Sequence, residues 1–188
     1  MRKAVSLLLL GACALALGSD ADLGSKAHPA AQAAADVIRS VAGAEVAFLP
    51  AGLLKEGNAN DLATWLQHPG EEIVVVSLRG SELTKAIERS VANYPLANSG
   101  FLQISGIQVG FSPSRTPESR VVEITVGGSP VAAGRQYNVA MPSSLAYGSL
   151  GYFKVWNRSQ ITRKTGTTLE AALKGKSGSI RESRYTAR

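Results

Sequence analysis

Two histidines, His28 and His68, and one cysteine, Cys13, are the only imidazole and thiol groups in the 188 residues. One cysteine forms no intrachain disulfide, and a Cys/His zinc cluster cannot be assembled from this set. A two-metal hydrolase centre draws on several His and Asp ligands, which His28 and His68 do not supply. Gly175-Lys176-Ser177 looks like the end of a P-loop, but Glu170 stands where the first glycine belongs. The segment also follows a helical stretch instead of a strand, so phosphates would not be cradled. Gly148-Ser149-Leu150-Gly151 is not a Gly-x-Ser-x-Gly nucleophile elbow, and neither histidine stands in a general-base context. Asn157-Arg158-Ser159 is a glycosylation triplet of a kind common by chance. Nucleophilic and metal-dependent hydrolysis both lack their parts.

The remaining chemistry is charge. The formal net charge is +6, and the nine basic residues from Lys154 onward face only Glu170 and Glu182. Residues 1–153 are slightly acidic. The terminal stretch 175–188 has few apolar residues and no period, so it reads as a flexible basic tail available to an anionic envelope surface. No aromatic platform is interleaved with those charges, which argues against specific nucleic-acid recognition.

At the other end, Met1-Arg-Lys3 precedes an uncharged apolar run to Gly18, followed by polar Ser19-Asp20. The run is shorter than the roughly 20 residues of a spanning helix and ends in small residues. Residues 1–18 are therefore expected to be a signal peptide, giving an exported, periplasmic or extracellular protein. Leu10-Gly-Ala-Cys13 also looks like a lipobox with Cys13 lipidated and the protein lipid-anchored. The apolar residues after Cys13 argue against that minority reading.

The elements that would position any site follow from hydrophobic period. Ala30–Val41 is expected to be a helix closed by Gly43, and Val46–Leu49 a short buried strand. Asn60 is expected to cap a helix running through Trp65 and Leu66. Glu72–Leu78 is a β-branched run and the clearest interior strand. Gly80-Ser81 should cap a helix over Glu82–Asn93, whose Leu83, Ile87 and Val91 form a core face. Phe101–Phe111, Val121–Val126 and Tyr137–Met141 read as strands, with turns at Ser112–Pro117 and Gly127-Gly128, and Thr167–Leu173 as a short helix. The fold class is α+β, a single compact domain over 23–174 with a mixed sheet and packed helices.

Phe101-Leu-Gln-Ile-Ser-Gly-Ile-Gln-Val109 and Leu78-Arg-Gly-Ser-Glu-Leu83 carry a family resemblance. With Ala44–Leu54, Asp61–Leu83, Arg120–Val126 and Tyr137–Tyr152, they resemble the C-terminal domain of 5′-nucleotidases, a family that includes UDP-sugar hydrolases and 2′,3′-cyclic phosphodiesterases. The resemblance spans roughly residues 23–160. It implies half of an enzyme: in that family an N-terminal metallophosphatase domain holds two metals, and the C-terminal domain binds the nucleoside. No Asp-x-His, Gly-Asn-His-(Asp/Glu) or Gly-His-x-His occurs in this sequence. No cofactor is expected for it.

The resemblance also locates the nucleoside-binding positions. The family's Asn-x-Gly-Gly-(Ile/Leu)-Arg loop corresponds to Pro50-Ala-Gly-Leu-Leu-Lys55, where Lys55 lacks the arginine's fork. The first stacking Phe falls at His68 or its neighbour, and Ser144 stands at the second. Gly148-Ser-Leu-Gly-Tyr152 replaces Gly-Gly-Asp-Gly-(Tyr/Phe), so Leu150 occupies the place of the ribose-binding Asp. The arginines expected before the first helix have no counterpart in Ser19–Gly24. The expected function is thus an exported, standalone domain without hydrolase activity of its own, kept as a binding or interaction module. One alternative is the substrate-binding subunit of a split nucleotidase, with a separately encoded metallophosphatase domain as partner. The other is an anionic-surface binder acting through the basic C-terminal region.

Overall fold

The computed structural model describes residues 23–188, so the signal segment 1–18 and Cys13 lie outside the described residues. Pro29–Ala42 forms α1. Pro29 sits in the first turn, where a missing N–H costs the helix nothing. Gly43, at φ 57, closes it, with Gly43 N–H on the Ser40 carbonyl and Ala44 N–H on the Arg39 carbonyl. Ala30, Ala31, Ala33, Ala34, Ala35 and Ile38 are buried. The short side chains of the alanines let α1 lie close against the sheet beneath it.

That sheet contains β1 (Val46–Pro50), β2 (Glu72–Arg79), β3 (Leu102–Ser105), β7 (Gln136–Pro142) and β8 (Ile161–Thr168). Its order is β3-β1-β7-β2-β8. β1 and β7 are parallel and the other pairs antiparallel, so it is a mixed sheet. Ile73–Val76 of β2 are all buried, as a strand covered on both faces requires. A second sheet has the order β6-β5-β4-β9, with β4 at Ile107–Phe111, β5 at Val121–Val126, β6 at Ser129–Pro130 and β9 at Tyr185–Ala187. α2 (Gly80–Val91) touches β2 of one sheet and β5 of the other. Its Leu83, Ile87 and Val91 are fully buried, as their spacing implies. Glu88 of α2 accepts the N–H groups of Arg120 and Val121 at 3.0 and 2.8 Å, which fixes the start of β5. The short helices α3 (Ser143–Ala146) and α4 (Leu169–Leu173) complete the α+β fold.

The structure departs from the sequence reading at five places. Phe101–Phe111 is not one strand: Gly106, at φ 76, breaks it, and β3 and β4 belong to different sheets. The apolar pattern runs on across the break and conceals it. Asn60 caps nothing; Asp61 accepts Ala63 N–H at 3.1 Å and caps a single 3₁₀ turn, Leu62–Trp65. α2 begins after Arg79, whose N–H is taken by Glu82 Oε2 at 2.7 Å, and not after Gly80-Ser81. β8 has no counterpart among the expected strands, because Thr-Arg-Lys-Thr-Gly-Thr-Thr lacks an apolar face. It is an edge strand, where charged residues such as Lys164 discourage pairing with other chains.

The fifth departure concerns residues 175–188. They do not end as a flexible tail, since Tyr185–Ala187 pairs parallel with β4. Arg184 donates to both carboxylate oxygens of Asp36, at 2.8 and 2.7 Å, and to the carbonyls of Gln32 and Ile104. Tyr185 is buried among Phe101 and Phe111, and its hydroxyl reaches Ser90 Oγ and the Leu102 carbonyl. Arg188 pairs with Glu123 at 2.9 Å. Composition gives no sign of this, because one buried aromatic and two paired arginines anchor the whole segment.

Two outcomes follow. Deleting residues 184–188 is expected to lower the unfolding free energy by about 3–5 kcal/mol, the range for emptying a large aromatic site; urea denaturation reads this directly, and a free tail would cost nothing. Burial also pushes the Tyr185 phenol well above its usual 10, and Tyr152 likewise, helped by neighbouring Tyr185 and opposed by Arg89. An unfolded chain loses these protons first as pH rises, so stability is full below about pH 10 and falls above it. In an alkaline titration, part of the tyrosinate absorbance should therefore appear only with cooperative unfolding, whereas early, gradual ionisation of all five tyrosines would contradict the burial.

Candidate functional site

Parallel β1 and β7 both end in proline, and the chain leaving each forms one end of the sheet. After Pro50 a 3₁₀ turn, Ala51–Leu53, is tied to the 99–101 segment by Ala51 N–H on the Phe101 carbonyl and Gly52 N–H on the Ser99 carbonyl, both 2.8 Å. Leu54 then bridges to Leu66, and Lys55 N–H donates to the Trp65 carbonyl at 2.9 Å. Gln67 Nε2 donates to the Leu54 carbonyl at 2.6 Å, so both sides of this crossing are pinned. A cleft of about 250 Å³ opens here, walled by Gly24, Ala51, Gly52, Leu54, Gln67 and Asn98 among others.

After Pro142, α3 is capped by Glu71. Its Oε2 accepts Ser143 Oγ–H and Ser144 N–H, each at 2.9 Å. The following turn is unusual: Gly148, Leu150 and Gly151 all have positive φ, 90, 55 and 80°. Leu150 is one of two non-glycine residues so disposed among the described residues, the other being Glu118. Arg89 of α2 holds the turn, with Nε on the Leu150 carbonyl at 3.0 Å and Nη2 on the same oxygen. Its guanidinium lies against Gly151, where a Cβ would overlap it. Behind the turn, Tyr152 donates to the Gly100 carbonyl at 2.6 Å and stacks on Trp156, ring centroids 4.7 Å apart. Trp156 Nε1 in turn donates to the Leu145 carbonyl at 2.9 Å.

The four positions singled out in the sequence border this one end by different routes. Leu150 Cδ1 lies 3.3 Å from where a Cβ on Gly52 would stand, so it reaches the 50–55 loop. Lys55 and His68 flank the Leu54–Leu66 bridge, and both are exposed. Ser144 is attached through Glu71; its Oγ is buried and has no hydrogen-bond partner. None of the four is among the residues lining the 250 Å³ cleft. The imidazole that meets an aromatic ring is His28, 4.6 Å from Trp65, and not His68. Sequence reasoning missed Arg89 and Glu71, which position the two segments. Glu82 and Asp61 are more legible analogues, because the N–H groups they accept lie three and two residues away.

The strain in the turn is testable. Gly151→Ala should cost about 1–3 kcal/mol from the left-handed backbone and the Arg89 overlap. In an Arg89→Ala background the same change should cost less, with a coupling on the order of 1 kcal/mol in a double-mutant cycle. Equal costs in both backgrounds would mean that Arg89 does not press on the turn.

Comparison with known proteins agrees with this architecture. The family model for the 5′-nucleotidase C-terminal domain matches residues 13–158. The 5′-nucleotidase of Bos taurus is 38% identical over 86 residues, covering 42% of this chain and 15% of that protein. That of Diplobatis ommata is 34% identical over 107 residues, covering 53% of this chain and 18% of its own length. The chain thus spans less than a fifth of either relative. Among solved structures, a 5′-nucleotidase precursor from Thermus thermophilus superposes with a TM-score of 0.75 at 20% identity, over 90% of this chain and 37% of that one. The Haemophilus influenzae NAD nucleotidase gives 0.67 at 18% identity, over 91% and 37%. At these identities the structural likeness is one of fold, and the assignment rests on the sequence match. The chain belongs to the 5′-nucleotidase C-terminal domain family.

Proposed function

We propose that these residues form an exported binding or interaction module that does not hydrolyse nucleotides by itself. The observation that carries this reading is Leu150. The resemblance calls for a carboxylate there, to hold ribose hydroxyls. Leu150 instead turns its side chain toward Gly52 and offers only its backbone carbonyl, which Arg89 already occupies. A leucine side chain accepts no hydrogen bond. The other three positions point the same way: Lys55 lacks a guanidinium fork, exposed His68 or its neighbour Pro69 replaces one stacking ring and Ser144 the other. Export is supported by the basic start and short apolar run of residues 1–18. A contact with an anionic surface would not use residues 184–188 as a free tail, because Arg184 and Arg188 pair with Asp36 and Glu123, and would fall to the other cations of the region from Lys154 onward.

A second reading has one observation in its favour. Tyr147 and Phe153, 54% and 67% exposed, flank the Gly148–Gly151 turn, and exposed aromatic surface often marks a contact with another protein. A metallophosphatase domain encoded separately would be the partner, and this chain its substrate-binding subunit.

Both readings meet the same assay. The purified chain lacking residues 1–18 is incubated with AMP, UDP-glucose and 2′,3′-cyclic AMP in Mg²⁺, Mn²⁺, Co²⁺ or Zn²⁺. No turnover above the buffer rate is expected. Turnover that persists through successive purification steps at constant specific activity overturns the proposal. Nucleotide hydrolysis appearing only when an isolated metallophosphatase domain is added would select the second reading.

A further inference from the structure

We infer that a second cleft, on the other side of the Leu150–Gly151 turn, is a binding site for a small organic dianion with an apolar body. The cleft measures about 480 Å³ and lies between α2, the loop joining β4 to β5, and the segment after Tyr152. That volume falls within the range of small-molecule sites. It does not share a lining residue with the 250 Å³ cleft.

Its charges are arranged for an anion. Lys85 of α2 and Lys154 after the turn both line it, are exposed, and make no ion pair with any described residue. Arg89 lines it as well, and its orientation is fixed in advance: Nε and Nη2 are spent on the Leu150 carbonyl, while Nη1 has no acceptor among the described residues. A guanidinium held this way loses little freedom when it meets an anion. Two carboxylates also line the cleft. Glu88 is already committed, with both oxygens accepting the N–H groups of Arg120 and Val121. Glu118 is the remaining one, on a loop where its backbone is held at φ 71. Three cations therefore face one uncommitted carboxylate, an excess that suits a doubly charged head group better than a single charge. Ala92, Pro117 and Val155 supply an apolar wall beside them, which favours a ligand with a hydrocarbon or aromatic part over a bare inorganic ion.

The backbone points to the same place. The two non-glycine residues with positive φ among the described residues are Glu118, which lines the cleft, and Leu150, which is held by an arginine that lines it. Backbone strain of this kind collects where a site has to be shaped.

Phosphate and dicarboxylate head groups both satisfy this chemistry, and the test separates them. Phenyl phosphate and phenylsuccinate are titrated into isotopically labelled protein, with benzoate and inorganic phosphate as controls that each lack one feature. Saturable amide shifts at Lys85, Arg89 and Lys154 are expected for at least one phenyl dianion, at about fivefold or more higher affinity than either control. Whichever phenyl compound binds more tightly identifies the head group. Lys85→Ala with Lys154→Ala should weaken that binding by about tenfold or more and flatten its salt dependence. Both side chains are exposed, so the thermal midpoint should be unchanged, and a folded variant keeps the comparison valid. Absence of saturation at millimolar concentrations, undiminished binding by the double variant, or shifts at Gly52, Leu54 and Gln67 instead would each overturn the inference.

Discussion

A side chain at position 106 would overlap the carbonyl oxygen of Glu45 and press on Arg39. Everything else in the fold depends on that position being glycine. At φ 76, Gly106 turns the chain out of β3 and directly into β4, with no loop between two different sheets. The close approach brings the end of α1, the entry to β1 and the junction of both sheets to one point. β3 then pairs with β1, and β4 with β5, in registers set on either side of a single residue. Only a residue without Cβ combines left-handed backbone with such an approach at low cost.

Two sheets joined by one residue would still be free to splay, and the polar network beside the junction prevents it. Ser105, just before Gly106, donates to Asp36 and accepts from Arg39 Nε at 2.8 Å. Arg184, the residue before the last strand, reaches the same carboxylate and also bonds the Ile104 carbonyl. The chain terminus is thereby tied to α1, β3 and β4 together. Such a carboxylate, bonded by a hydroxyl and an arginine, is strongly directional, so it selects a position as well as a contact. This explains why Arg184 belongs to the fold, although its neighbours Arg181 and Glu182 are exposed.

How much of this is legible in the sequence depends on how far each interaction reaches along the chain. α1, β2 and α2 can be read from it because hydrophobic period and local caps are encoded within a few residues. The hairpin turn at Gly127-Gly128 is legible for the same reason. β8 is not, since an edge strand carries no apolar stripe. β9 is not either, since its anchor is a ring packed against Phe101 and Phe111 from more than seventy residues away in the chain. The motif comparison locates Lys55, His68, Ser144 and Leu150, but does not show what each touches. Arg89 is 61 residues from the carbonyl it holds, and no pattern in either segment announces that bond.

That bond bears on how the turn keeps its shape. A turn with Gly148, Leu150 and Gly151 in left-handed backbone would be costly if ligand contacts alone kept it in place. Here its support is internal: Arg89 holds the Leu150 carbonyl, Tyr152 donates to Gly100, and Trp156 donates to Leu145. With the turn stabilised from within, the Leu150 side chain is left to reach toward Gly52. The same arginine lines the 480 Å³ cleft beside α2. One side chain therefore both fixes the turn and presents a held cation to that cleft.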